Sequence, residues 1–183
     1  MTVSKVSERT VAGYRVSCGH MVPFGASHVR TGVNFSVFSA HGTGCTLVLF
    51  KHGHAKPIAE IRFPADFRLG HVWAMIVHDL EAGNLEYGFR MEGPWKPAEG
   101  HYFDSSKILL DPYAREIVGR EEWMQAVPSS TKPVFRSRLP ASAGQIEPNQ
   151  APCVPDSELI IYETHVRGFT LHPNAGVKNP GTF

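Results

Sequence analysis

Apolar and polar residues alternate with period two through much of the first half of the chain. In GVNFSVFS, Val33, Phe35 and Val37 fall on one face and Asn34, Ser36 and Phe38 on the other. CTLVLF repeats the pattern, with Cys45, Leu47 and Leu49 opposite Thr46, Val48 and Phe50. Such alternation marks a half-buried strand, because successive side chains of an extended backbone point to opposite sides. The Gly-containing loop AHGTG between the two runs predicts an antiparallel hairpin. Further strands are predicted at PIAEIRFP, HVWAMIVHDL and NLEYGFRME, the last with Tyr87, Phe89 and Met91 on one side. Gly or Pro clusters separate these runs, and no long helical period interrupts them. Short strands with regular turn signals predict a β-sandwich.

The pattern changes at Gly93. GPWKPAEGHYFDSSKILLDPYAREIVG mixes prolines and glycines with aromatics, and predicts an ordered, irregular collar packed on the sandwich through Tyr102, Phe103, Leu109, Leu110 and Tyr113. PSSTKPVFRSRLPASAGQIEPNQAPCVP is polar and Pro-rich and reads as a linker or surface loop. Then ELIIYETHVRGFT begins with a continuous apolar run, Leu159 to Ile161, the pattern of a strand buried on both faces. A doubly buried strand suits a parallel sheet, not the preceding sandwich, so the chain is expected to stop just inside a second domain. The expected organisation is a tail over 1–13, a sandwich with its collar over 14–127, a linker over 128–156 and the start of a second fold over 157–183.

Composition narrows the partners. The 183 residues carry a formal charge of +1, with no run of like charges. Nothing in that balance suggests nucleic acid or an anionic membrane as a partner. The N-terminal MTVSKVSERTVAGYRVS lacks the apolar core of a signal peptide, and no stretch is apolar enough to span a bilayer. Cys18, Cys45 and Cys153 are few, odd in number and widely spaced, which points to reduced thiols and a cytoplasmic setting.

Four stretches together resemble the N-terminal part of isoamylase-type debranching enzymes of the α-amylase superfamily. They are PFGASHVRTGVNFSVFSA, LEYGFRMEGPW, GHYFDSSKILLDPYAREIVG and LIIYETHVRGFT, and their order and spacing carry the resemblance from Val22 to Thr170. His101 stands where that family usually has a basic residue, and Asp104 where it usually has Asn. The resemblance implies a mostly β chain: an immunoglobulin-like, early-set sandwich with an irregular collar, then the first strand of a truncated (β/α)8 barrel. It also implies a parent enzyme that hydrolyses α-1,6-glucosidic branch points of glycogen or starch by a retaining, two-carboxylate mechanism. The positions of those carboxylates lie on later barrel strands, beyond the match to Phe183. No catalytic residue is therefore assigned, and this chain is expected to be inactive alone. The alternative is a stand-alone glycan-binding or regulatory module. By motif, Tyr162, Glu163, His165 and Arg167 are barrel scaffold.

Two tryptophans are candidates for stacking on glucose. Trp73 lies in a sandwich strand, where a large aromatic more often packs in the core. Trp95 follows Gly93-Pro94 in the collar, where it could meet sugar, cover the sandwich or contact a barrel. Trp123, in REEWMQ, is expected to anchor a surface turn. His52 and His54, in KHGHAK, have metal-like spacing but no adjacent Cys, Asp or Glu to complete a shell, so a solvated turn is expected. No metal or other cofactor is expected. The partner implied is an α-glucan, with self-association possible through the apolar stretch 159–165.

Overall fold

The computed structural model describes residues 8–81, 83, 85–119, 135–139 and 154–181. They form β1 (Arg9–Val11), β2 (Tyr14–Cys18), β3 (Gly25–Val29), β4 (Gly32–Phe38), β5 (Gly44–Lys51), β6 (Pro57–Arg62) and β7 (Arg68–Leu69). There follow β8 (Val72–His78), β9 (Leu85–Glu92), β10 (Trp95–Lys96), β11 (His101–Tyr102), β12 (Glu116–Val118), β13 (Arg136–Arg138) and one helix, α1 (Val166–Thr170). The chain divides into two compact units, Met1–Gln145 and Ile146–Phe183.

The first unit is an antiparallel sandwich. One sheet runs β1-β2-β8-β4-β3, with β7 also on β8; the other runs β12-β13-β9-β5-β6. The apolar faces read from the sequence meet between them. Val16, Val33, Phe35, Val37, Trp73, Met75 and Val77 pack against Cys45, Leu47, Leu49, Ile61, Tyr87, Phe89 and Met91, all buried.

The predicted hairpin between β4 and β5 does not form. β4 pairs with β3 and β8, whereas β5 pairs with β6 and β9. The register of β4 on β8 sets Val33 beside Val77, Phe35 beside Met75 and Val37 beside Trp73. The intervening loop is long enough to cross the roughly 10 Å between packed sheets, and crossing lets both apolar faces point inward.

The polar faces of these strands are not all solvated. Asn34 and Ser36 are fully buried, because residues 19–21 lie against them. The His20 amide donates to Asn34 Oδ1 at 2.8 Å, Asn34 Nδ2 donates to the His20 carbonyl at 3.0 Å, and Ser36 Oγ donates to the Met21 carbonyl at 2.6 Å. Gly19 permits this close approach: a Cβ there would lie 2.5 Å from Asn34 Oδ1 and from the Met75 amide nitrogen.

Residues 135–139, read from the sequence as linker, are instead part of the second sheet. β13 pairs with β12 and β9, and Arg136, Ser137 and Leu139 are buried. Arg-Ser-Arg offers no apolar alternation, so the period-two test does not register this strand. Of the rest of the predicted linker, 128–134 and 140–153 lie outside the described residues, as does Trp123, and 154–156 belong to the second unit.

The collar meets the sandwich differently from expectation. Phe103 packs on the core, and Leu109 joins β9 through reciprocal backbone bonds with Phe89 at 2.9 and 2.7 Å. Tyr102, Leu109 and Tyr113 nevertheless stay about half exposed or more, although the Tyr113 ring packs on Phe24 with centroids 4.9 Å apart, so the anchor is Phe103, this ring pair, the backbone and a buried polar knot. In that knot Tyr87 Oη donates to Asp111 Oδ2 at 2.7 Å, and the Asp111 amide donates to Ser137 Oγ at 3.0 Å.

In the second unit, Leu159–Ile161 is not a buried strand. Ile160 is 92% exposed and Ile161 80%, and 159–165 pair with no strand among the described residues. A strand with two apolar faces needs hydrogen-bonded neighbours on both edges, and without them an extended apolar run gains nothing from burial.

Candidate functional site

The site grows from the end of β9. Gly93-Pro94 turns the chain away from the sheet, and β10 and β11 then pair, setting Trp95 opposite Tyr102 and Lys96 opposite His101. Pro97–Glu99 makes one 3-10 turn between them. Gly100 closes it at φ +79, a left-handed conformation that favours glycine, with its amide donating to the Pro97 carbonyl at 3.1 Å. Cross-strand pairing brings the two rings together edge to face, centroids 5.9 Å apart at 89°. Trp95 is 61% exposed and Tyr102 63%.

The next residue points the other way. Phe103 turns inward over Gly93, where a Cβ would sit 2.5 Å from the Phe103 ring. Behind Tyr102 lies a cleft of about 240 Å³ lined by Met91, Tyr102, Phe103, Asp104, Lys107 and Leu109. Asp104 accepts from the Ser106 hydroxyl at 2.6 Å and the Ser106 amide at 3.0 Å; these bonds, with Lys107 at 3.6 Å, hold its carboxyl below the ordinary aspartate value. Two exposed aromatic rings beside an apolar cleft with one carboxylate and one ammonium group can stack on a pyranose and bond its hydroxyls. Among the described residues, no group of three or more His, Cys, Asp or Glu could hold a metal ion.

Of the two tryptophans singled out in the sequence, only Trp95 can offer a ring face. Trp73 is 2% exposed, with Phe63 edge-on at 6.5 Å and the Arg68 guanidinium 5.2 Å from its ring centroid. The β8 register turns it inward, so a sugar-stacking role is ruled out. Tyr162, Glu163, His165 and Arg167 lie in the second unit and are exposed; His165 Nδ1 accepts from the Gly168 amide and caps α1. His52 and His54 form no metal pair. His52 Nδ1 bonds Glu86 Oε1 at 2.8 Å, and the His54 carbonyl accepts from Arg136 at 2.6 Å.

Sequence reasoning missed Tyr102 as a partner of Trp95, although the Pro-x-x-Gly turn between them was a readable signal for a ribbon. It also missed the buried ionic knot of Glu86, Arg136 and His52. Glu86 accepts from the Gly53 amide, His52 and Arg136, and Arg136 lies 3.7 Å from the Phe50 ring centroid.

An immunoglobulin-like sandwich whose exposed aromatic pair stands on a short ribbon has the form of a carbohydrate-binding module. Residues 23–114 match the family described as carbohydrate-binding module 48 (isoamylase N-terminal domain), and the chain belongs to that family. Among curated relatives, isoamylase 1, chloroplastic, of Arabidopsis thaliana is 37% identical over 175 residues, covering 92% of this chain and 22% of that protein. A glycogen debranching enzyme of Salmonella typhi is 34% identical over 180 residues, covering 92% and 27%. The chain thus spans only 22% to 27% of the length of these relatives. In fold it resembles a Paenibacillus barengoltzii pullulanase solved with maltohexaose and α-cyclodextrin, at a TM-score of 0.56 and 19% identity, over 90% of this chain and 22% of that one. A pullulanase from Bacillus acidopullulyticus aligns at a TM-score of 0.55 and 22% identity, over 87% and 17%. No helix among the described residues is long and apolar enough to cross a membrane.

Proposed function

We propose that this chain is the non-catalytic, glucan-handling N-terminal module of a debranching hydrolase acting on α-1,6 branch points of glycogen or starch. Catalysis belongs to carboxylates elsewhere in such an enzyme, on loops at the mouth of a barrel. The observation that carries the reading is the exposed Trp95–Tyr102 pair, held on a closed ribbon in a sandwich of this family. Side chains already ordered by cross-strand packing lose little freedom on meeting a sugar ring. The scaffold role of Tyr162, Glu163, His165 and Arg167 in a barrel, and self-association through Ile160 and Ile161, belong to the same proposal. So does a cytoplasmic setting, supported by the free thiols of Cys18 and Cys45; the plant relatives are named as chloroplastic.

Affinity electrophoresis through gels containing glycogen or pullulan tests the reading. The chain is expected to be retarded, and Trp95→Ala to migrate freely, since truncating a central aromatic contact costs on the order of 2 kcal/mol. Unretarded wild-type chain, or a Trp95→Ala variant held back as strongly as wild type, refutes the role of this pair. Reducing-end release from any of these glucans by the purified chain refutes its non-catalytic character.

A further inference from the structure

We propose that His41 and His101 form a two-imidazole site for a divalent transition-metal ion of the Ni2+ or Cu2+ type. His41 is exposed in the loop between β4 and β5, and His101, half-buried, opens β11. Far apart in sequence, they meet with ring centroids 4.4 Å apart and planes inclined at 57°. Two imidazoles on one metal have nitrogens about 2.0–2.1 Å from it and hence centroids about 3.2 Å from it. Ligands at the right angle of a square-planar or octahedral ion then have centroids about 4.5 Å apart, against roughly 5.2 Å for a tetrahedral ion. The observed spacing matches the right-angle case.

Both ligands stand on constrained backbone. The His41 loop is held by the Gly42 amide on Ser39 Oγ at 3.2 Å, by Arg68 on the Gly42 carbonyl at 2.8 Å, and by the Thr43 amide on the Glu92 carbonyl at 2.7 Å. His101 sits on the closed ribbon, opposite Lys96, whose ammonium is engaged by Glu99 at 3.3 Å. No third His, Cys, Asp or Glu completes a cluster among the described residues, so water would fill the remaining positions. A metal here would tie the β4–β5 loop to the ribbon that carries Trp95 and Tyr102.

Titration calorimetry of the 183-residue chain with NiCl2 at neutral pH tests this. One saturable site is expected. His41→Ala and His101→Ala should each weaken it at least about tenfold, because either change removes the gain from holding the second ligand at high effective concentration. His54→Ala, at a histidine outside the pair, should leave it unchanged. Absence of a saturable site, a loss in only one of the two pair variants, or an equal loss in His54→Ala overturns the proposal. Should His101→Ala fail to fold by circular dichroism, Cu2+ broadening of both imidazole proton signals in the wild-type chain decides. Broadening of one ring alone counts against the site.

Discussion

Replacing Arg136 with Ala tests the buried ionic knot that holds β13 in the second sheet. Arg136 is 8% exposed and Glu86 4%. The guanidinium donates to Glu86 Oε2 at 3.0 Å and to the His54 carbonyl at 2.6 Å, and lies over Phe50. Removing one partner of a buried pair strands the other charge, at a cost of about 3–5 kcal/mol. Glu86 keeps the Gly53 amide at 3.0 Å and His52 at 2.8 Å, so the lower end, about 3 kcal/mol, is expected at neutral pH. The pH dependence separates this cause from simple loss of packing. Burial would raise the Glu86 carboxyl, but the bonds from Gly53, His52 and Arg136 outweigh it and hold the group below the ordinary glutamate value. A depressed carboxylate contributes stability above its unfolded value, near 4.3, that is lost as pH falls through the folded one. Without Arg136 the carboxyl loses part of that depression, so the variant should gain less stability than the parent as pH rises. The gap between the two proteins must therefore widen from pH 4 to pH 7. Urea denaturation across that range, with the slope of each transition compared, measures it. A gap below about 1 kcal/mol at pH 7, or one that does not change with pH, would refute the reasoning.

Asp111 should behave with the opposite sign. Burial pushes its carboxyl up despite bonds from the Tyr113 amide and Tyr87 Oη, so its contribution is present at low pH and lost as pH rises through the raised value. Asp111→Asn keeps one of the two acceptors and should cost about 1–3 kcal/mol, with a penalty largest in acid and shrinking toward neutrality in urea titrations; a penalty that grows with pH would contradict this. Deleting 156–183 should leave the melting temperature of the sandwich unchanged and raise its solubility, because Ile160, Ile161 and Tyr162 are each more than three-quarters exposed. Loss of cooperative melting in the shortened chain would show that the strands need this segment.

The core of the candidate module was legible in the residues themselves. Period-two alternation located β4, β5, β6, β8 and β9, and for β4, β5 and β9 it grouped the residues of the face that meets the core, because side-chain direction along a strand is a local property of extended backbone. Four stretches were enough to point to the family, since turn and collar residues such as Gly93 and Asp111 answer to close contacts that few other side chains satisfy. Trp95 was legible as a candidate; Trp73 was named beside it although its strand position already favoured core packing, and the register on β4 turned it inward. Only the tertiary structure decided that β4 and β5 belong to different sheets, that polar Arg136–Arg138 completes a strand, and that Leu159–Ile161 does not form one. Each of these depends on which distant backbone supplies the hydrogen bonds. Strand pairing is a property of two segments at once, and alternation within one segment carries no record of its partner.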